Sequence, residues 1–187
     1  PDNVTNEEAP LAEPTSVAVH AVENAKVTVG ETAAVIGCGV VGLCTLQVLK
    51  AAGLNVIAID PREQSLKLAR ELGAIETLNP NDVDPGELLP ALTNGYGPDV
   101  IIETAGAPGT GLDAANWVRR GGRVVIVGFS HEDATLNFGR AHMAEKTIIG
   151  SSATSTGGYQ KAVNLIASGA VNVKPLISAL VPLDRGI

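Results

Sequence analysis

From residue 32 onward, short apolar runs alternate with longer segments in which apolar residues recur at helical spacing. The short runs are apolar throughout, which is typical of strands buried on both faces of a parallel sheet. Gly53 and Gly73 follow the first two helical segments, at the place of a helix C-cap. The pattern predicts six strands, at residues 33–36, 55–59, 75–78, 99–102, 123–127 and 147–149, and helices at residues 40–52, 63–72, from 85, 112–118 and 159–167.

Strands that alternate with helices in this way predict a single parallel sheet whose two faces are both covered by helices. The expected fold class is therefore α/β, a Rossmann doubly wound six-stranded parallel sheet with helices on both faces. The preceding segment is apolar but is interrupted by Pro10 and Pro14, so we expect it to be helical in two pieces. We expect residues 1–23 to be a lead-in and residues 24–187 to form the sheet domain.

Composition narrows the range of partners. The chain has 187 residues, a formal net charge of −7 and no cluster of Lys and Arg to bind phosphate backbones, so we expect no nucleic-acid partner. No apolar run approaches the ~20 residues of a membrane span, so we expect no membrane partner. Cys38 and Cys44 lie six residues apart and do not share a helix face, which disfavours a disulfide. Buried thiols fit a reducing compartment, and we expect a cytoplasmic protein.

A glycine-rich motif follows the first predicted strand and opens the first predicted helix: Gly37-Cys38-Gly39-Val40-Val41-Gly42. In this context the GxGxxG spacing is typical of a dinucleotide-binding turn. Gly37 permits the tight turn, Gly39 lets a pyrophosphate approach the backbone, and Gly42 lets the helix pack on the strands. The helix N-terminus offers N–H groups and a partial positive charge to the phosphates. Val41 either projects beside the cofactor or belongs to the core.

An acidic residue ends the second predicted strand. Asp60 lies 18 residues after Gly42, where a carboxylate is expected to accept hydrogen bonds from the adenosine ribose hydroxyls. It would also repel a 2′-phosphate, which favours NAD over NADP. Arg62 leaves NADP open as an alternative, because a guanidinium can stack on adenine or hold a phosphate. Asp60 can also serve as a helix N-cap before Pro61, and the two roles are compatible.

Later strand ends should line the same crevice, since ligands of doubly wound sheets bind beyond the carboxyl ends of the strands. The fourth strand is followed by Thr104-Ala105-Gly106, and the fifth ends in Val127-Gly128-Phe129. Their small residues allow a ligand close to the backbone, although each segment is also compatible with an ordinary turn. Glu103 is expected to satisfy local backbone groups. The histidines are expected to be structural or surface residues: His20, His131 and His142.

Other nucleotide-binding classes fit the sequence less well. Short-chain dehydrogenases use a Tyr-x-x-x-Lys pair, whereas Tyr159 and Lys161 are two residues apart. Methyltransferases usually end their sheet in an antiparallel hairpin, whereas six parallel strands are predicted here. A regulatory or structural nucleotide-binding module without catalysis would carry the same glycine turn and the same acid, and this alternative stays open.

Several segments, taken in order, give the chain a family resemblance. Besides the glycine motif they are LAEP, KAAG, ARELGA, GGRVVIVG, KPLI and PLD, at residues 11–14, 50–53, 69–74, 121–128, 174–177 and 182–184. With these segments the chain resembles the cofactor-binding domain of the zinc-dependent alcohol and polyol dehydrogenases in the medium-chain dehydrogenase/reductase superfamily. The resemblance extends over nearly the whole chain.

The resemblance implies hydride transfer between an alcohol or polyol substrate and NAD, with a catalytic zinc held mainly by a preceding domain that is absent from this chain. It places no catalytic residue in the chain, which alone is expected to be inactive. It suggests Glu13 as a zinc ligand, directly or through water, and this favours the polyol branch over the zinc-free quinone reductases. Those reductases remain an alternative, in which Glu13 is an acid on a helix surface.

The resemblance also implies an arrangement around the cofactor. Relatives often carry Lys or Arg five residues after the ribose-binding acid, where this chain has Ser65, so Arg62 is expected to take that contact. Relatives form dimers or tetramers by joining sheet edges, so we expect a homodimer or homotetramer joined at the sixth strand. Four apolar residues are expected to pack around the cofactor: Val17, Val41, Val127 and Phe129. Thr104 to Gly106 are expected near the nicotinamide ribose, and Ser151 and Ser152 near the nicotinamide end.

Overall fold

The computed structural model describes residues 1–185, and in it six strands form one sheet in the order β3-β2-β1-β4-β5-β6. Neighbouring strands are parallel throughout. The predicted α/β Rossmann fold is confirmed, and the sixth strand lies at an edge as expected. Residues 186 and 187, which end the predicted domain, lie outside the described residues. The strands are β1 (Thr32–Ile36), β2 (Asn55–Ile59), β3 (Glu76–Leu78), β4 (Val100–Glu103), β5 (Arg123–Ile126) and β6 (Thr147–Gly150).

Seven α-helices and three 3-10 turns connect these strands within residues 1–185. The helices are α1 (Ala12–Ala25), α2 (Val40–Ala51), α3 (Glu63–Glu71), α4 (Pro85–Leu92), α5 (Thr110–Trp117), α6 (Phe138–Met143) and α7 (Gly158–Ala167). The 3-10 turns are Ala9–Leu11, Lys174–Leu176 and Leu183–Arg185. Among these described helices, none combines the length and the apolar character that crossing a membrane requires.

The sheet separates two apolar cores, because successive side chains of a strand point to opposite faces. In β1, Ala33 and Val35 join the core under α1, α2 and α7, whereas Ala34 and Ile36 join the core under α4 and α5. All four side chains are buried. Burial on both faces is the physical reason why residues 33–36 are all apolar.

Helix α1 connects the expected lead-in to the sheet domain. It runs across residue 23 and packs its buried face, which includes Ala18 and Val22, into the core that α2 and α7 cover. The segment enters helical structure in two pieces, as expected, with the Ala9–Leu11 turn before α1. Pro14 lies in the first turn of α1, where its missing N–H group costs no helical hydrogen bond.

Candidate dinucleotide-binding site

The glycine turn (residues 37–42) joins β1 to α2, and its three glycines meet three different steric demands. Gly37 has φ +90°, a left-handed conformation that favours glycine. A Cβ on Gly42 would lie 1.8 Å from the carbonyl oxygen of Gly37, so only glycine lets α2 pack this closely. At Gly39, by contrast, an added Cβ would meet nothing within 4 Å among the described residues. The space over Gly39 is therefore open to a ligand.

The N-terminus of α2 lies at this open position. Gly39 is the N-cap, and since it has no side chain, the first-turn N–H groups of the helix are left for another acceptor. Val40 is 41% exposed and Val41 is half-buried, so the tip of the helix is accessible. Exposed N–H groups and the positive end of the helix dipole favour an anionic ligand here.

Asp60 follows β2 and holds the glycine turn from the neighbouring strand. Its side chain is 3% exposed, and each carboxylate oxygen accepts two hydrogen bonds. The N–H of Cys38 and Arg62 Nη2 donate to Oδ2 at 2.7 and 2.9 Å. The N–H of Arg62 and its Nε donate to Oδ1 at 2.8 and 2.9 Å. Asp60 is therefore both a brace for the turn and one half of an ion pair.

Burial and hydrogen bonding act in opposite directions on the ionisation of this site. Burial acts to raise the pKa of Asp60, but the Arg62 side chain and the N–H groups of Cys38 and Arg62 hold that pKa below its usual value. The Cys38 thiol has its pKa raised to about 12 by burial and by the Asp60 charge. The site thus contains a carboxylate and a neutral thiol. Cys38 and Cys44, the two cysteines of residues 1–185, are both free, as expected.

The turn after β4 is built on Glu103, which is 1% exposed. Its Oε1 accepts hydrogen bonds from the N–H groups of Ala105 and Gly106 at 2.8 Å each and from Thr110 Oγ1 at 2.9 Å. The prediction that Glu103 satisfies local backbone groups is confirmed. Thr104 Oγ1 donates toward the carbonyl oxygens of Ile36 and Gly37 at 3.0 and 2.9 Å, which ties this turn to the glycine turn.

These segments enclose a cavity of about 390 Å³, within the size range of small-molecule sites. It brings together six residues predicted from the sequence: Gly37, Gly39, Asp60, Arg62, Thr104 and Ala105. The remaining lining residues were not predicted: Ile36, Ile59, Pro61, Pro80, Ala107, Thr110, Asp113 and Trp117. The sequence does contain a signal for the lining residues of α5. Residues 110, 113 and 117 have the spacing of one helix face and belong to the first helix after the fourth strand.

The other predicted cofactor residues lie outside the lining of this cavity. Gly106 and Gly128 pack closely after β4 and β5, since a Cβ on Gly128 would lie 2.2 Å from the Gly106 nitrogen. Phe129 is 79% exposed, with its ring 4.8 Å from that of His131. After β6, Ser151 is buried. Val17 and Val127 are half-buried, and Ser152 is exposed.

Zinc ligands are not gathered in the described part of the chain. Glu13 is exposed in the first turn of α1, and residues 1–185 contain no group of three or more His, Cys, Asp or Glu side chains that could hold a metal ion. His20 Nε2 lies 3.3 Å from the side-chain nitrogen of Asn24, which in turn donates to Ser151 Oγ at 3.0 Å. The residues present fit a dinucleotide, but alone they do not form a zinc site.

Three known proteins that are similar to this chain are all dehydrogenases. The sorbitol dehydrogenase of Bacillus subtilis is 36% identical over 187 residues, which cover 99% of this chain and 53% of the relative. An alcohol dehydrogenase from Thermus sp. ATN1 superposes with a TM-score of 0.90 at 29% identity, covering 98% of this chain and 54% of that one. A zinc-binding dehydrogenase of Sinorhizobium meliloti 1021, solved with NADP bound, superposes with a TM-score of 0.81 at 28% identity, covering 93% of this chain and 56% of that one.

The chain spans about half the length of the curated relatives it matches. The model of the zinc-binding dehydrogenase family matches residues 40–168, which include the last three residues of the glycine turn, Asp60 and the strands from β2 to β6. The predicted resemblance to the cofactor-binding domain of zinc-dependent medium-chain dehydrogenases is confirmed. The chain belongs to the zinc-binding dehydrogenase family.

Proposed function

We propose that the chain is the cofactor-binding part of an oxidoreductase that transfers a hydride between an alcohol or polyol and NAD. One observation carries the proposal: the open position over Gly39, at the tip of α2, adjoins a cavity that also contains the buried carboxylate of Asp60. A phosphate-binding helix tip and a sugar-binding carboxylate one strand apart are the two contacts that a dinucleotide requires.

In the proposed complex the pyrophosphate lies over Gly39 and accepts hydrogen bonds from the first N–H groups of α2. The adenosine occupies the cavity of about 390 Å³, with its ribose hydroxyls on Asp60. The nicotinamide half extends along the ends of β5 and β6. When bound, the cofactor supplies the hydride acceptor or donor at its nicotinamide ring. The residues proposed for that half are Val17, Val41, Val127, Gly128, Phe129, Ser151 and Ser152.

Ribose binding requires a movement of Arg62. Because each oxygen of Asp60 already accepts two hydrogen bonds, the ribose hydroxyls must displace the Nε and Nη2 contacts of Arg62. The Arg62 side chain is 62% exposed, so it is free to turn away and lie over the adenine. We propose NAD as the cofactor because the Asp60 carboxylate would then face, and repel, a 2′-phosphate.

The rest of the reaction belongs to the parent protein. We propose a catalytic zinc in a domain outside this chain, and we propose that Glu13 contacts it directly or through water. The alcohol or polyol class of substrate is supported by the likeness to sorbitol dehydrogenase. We further propose that the parent is a cytoplasmic homodimer or homotetramer and that the chain alone is inactive. The buried free thiols of Cys38 and Cys44 support a reducing compartment.

Calorimetric titration of the 187-residue chain with NAD and with NADP tests the proposal. We expect NAD to bind more tightly, and Asp60→Ala to weaken NAD binding by about 1–3 kcal/mol because hydrogen bonds to a charged acceptor are lost. The same variant should narrow the preference for NAD over NADP. Asp82→Ala is the matched control, since Asp82 is an exposed acid outside the cavity lining. Undiminished NAD affinity in the folded Asp60→Ala variant would rule out the ribose assignment.

A further inference from the structure

The cavity beside the glycine turn is lined by two carboxylates that differ in their surroundings. Asp60 accepts four hydrogen bonds from Cys38 and Arg62. Asp113 also lines the cavity, but among residues 1–185 no donor forms a hydrogen bond or an ion pair with its side chain. The Asp60 carboxylate can thus bind a ligand only if Arg62 moves away, whereas Asp113 has its full acceptor capacity available to a ligand.

The position of Asp113 on α5 directs it to this cavity. Residues three and four apart lie on the same face of a helix, and Thr110, Asp113 and Trp117 all line the cavity. The neighbouring Ala114 and Val118 are buried in the core under α4 and α5. Asp113 is half-buried, and burial raises the pKa of its carboxyl, with a further contribution from Asp84. A partly desolvated acceptor without a donor costs free energy that a ligand donor would recover.

The two hydroxyl groups of the cavity lining are already engaged with the protein. Thr104 Oγ1 donates toward the carbonyl oxygens of Ile36 and Gly37. Thr110 Oγ1 donates toward Glu103 and the carbonyl oxygen of Ala107. Arg62 offers only donors. The carboxylate of Asp113 is therefore the strongest acceptor that the described lining leaves for a ligand.

We propose that Asp113 recognises the 6-amino group of the adenine base and thereby selects adenine dinucleotides over those with a 6-oxo purine. This inference rests on the proposed function, because it assigns the base to the cavity whose ribose contact is Asp60. The exocyclic amino group of adenine carries two N–H donors. Hypoxanthine has a carbonyl oxygen at the same place, and two acceptors facing each other repel. Asp113 is thus a specificity-determining residue of the cofactor site.

The test compares the dissociation constants of NAD and of nicotinamide hypoxanthine dinucleotide by calorimetric titration of the 187-residue chain. We expect the chain to bind NAD at least about tenfold more tightly, the usual worth of a hydrogen bond to a charged group. Asp113→Ala should weaken NAD binding by about the same factor and bring the ratio of the two constants close to one. Glu87→Ala removes an exposed acid of α4 outside the cavity lining and should leave the ratio unchanged.

A second variant tests the same assignment if Asp113→Ala does not fold. Asp113→Asn keeps the shape of the side chain, but its amide can either accept from adenine or donate to hypoxanthine, so the ratio should again narrow. If NAD binds and both variants keep the wild-type ratio, the assignment of Asp113 is wrong while the proposed function stands. If neither dinucleotide binds the wild-type chain, the proposed function fails and this inference fails with it.

Discussion

At the scale of single residues, Gly42 and Gly39 belong to the same turn but differ in the space around them. A Cβ on Gly42 would meet the backbone of Gly37 at 1.8 Å and Thr104 Oγ1 at 2.8 Å, whereas a Cβ on Gly39 would meet nothing within 4 Å among residues 1–185. Gly42 is therefore required by the packing of the protein itself. Gly39 is required only if a ligand occupies the space above it.

This contrast predicts two different defects for one added methyl group. Gly42→Ala should lower the free energy of unfolding by about 3 kcal/mol, because α2 must move away from the strand. Gly39→Ala should change it by less than about 0.5 kcal/mol, as for an open surface position. Its Cβ would nevertheless fill the place of the pyrophosphate and weaken NAD binding by at least about tenfold. Urea denaturation and calorimetric titration of both variants measure the two effects.

Each variant serves as the control for the other. The account predicts lost stability in Gly42→Ala and lost affinity with retained stability in Gly39→Ala. An added Cβ at Gly39 meets no atom of residues 1–185 within 4 Å, so a loss of NAD affinity in Gly39→Ala would report a clash with the ligand. Full NAD affinity in this variant would contradict the assignment of the phosphate site.

At the scale of elements, the turn between β4 and α5 depends on one buried carboxylate. Glu103 accepts two backbone N–H groups and the Thr110 hydroxyl. Bonds to an ionised acceptor are about twice as strong as neutral ones. Glu103→Gln should therefore lower the free energy of unfolding by about 1–3 kcal/mol and reduce the hydrogen-exchange protection of the Ala105 and Gly106 amides.

The matched control is Glu71→Gln, an exposed acid at the end of α3. It removes the same charge without touching a buried donor, so both stability and the protection of the β4–α5 turn should stay at wild-type levels. Unchanged protection of Ala105 and Gly106 in Glu103→Gln would show that other contacts hold this turn.

Elements with an apolar pattern could be predicted from the sequence, even β6, in which no residue is buried. The strands and helices α2, α3 and α7 leave apolar runs or a helical period, and each was predicted to within a few residues. Helix α6 was missed, because its six residues contain no apolar run and none of them is buried. Its Phe138 and Met143 are 80% and 69% exposed, and its start depends on the Asn137 side chain, which accepts from the Arg140 N–H.

The candidate site also has one part that the sequence predicts and one part that it does not. The glycine turn and Asp60 are readable because local backbone geometry fixes which residue types can stand there. The pairing of Arg62 with Asp60 and the α5 wall with Asp113 depend on side-chain conformations and on packing between distant elements. The helical spacing of residues 110, 113 and 117 indicates that they share a helix face, but it does not specify what that face contacts.

At the scale of the whole molecule, strand order places the site. The chain crosses from β3 at one edge to β4 beside β1, so the order reverses between β1 and β4. Helices that leave β1 and β4 there cover opposite faces of the sheet, and their starts diverge to leave a crevice. The glycine turn, Asp60 and the β4–α5 turn all lie at this point, and this is why a single cavity collects them.

The central claim is that NAD lies across the glycine turn with its adenosine ribose on Asp60. A crystal structure of the 187-residue chain grown with NAD tests this claim most directly. The account predicts pyrophosphate oxygens within hydrogen-bond distance of the Val40 or Val41 N–H, and ribose hydroxyls on Asp60 in place of the Arg62 side chain. A pyrophosphate bound away from residues 37–42, or an Asp60 still paired only with Cys38 and Arg62, would contradict it.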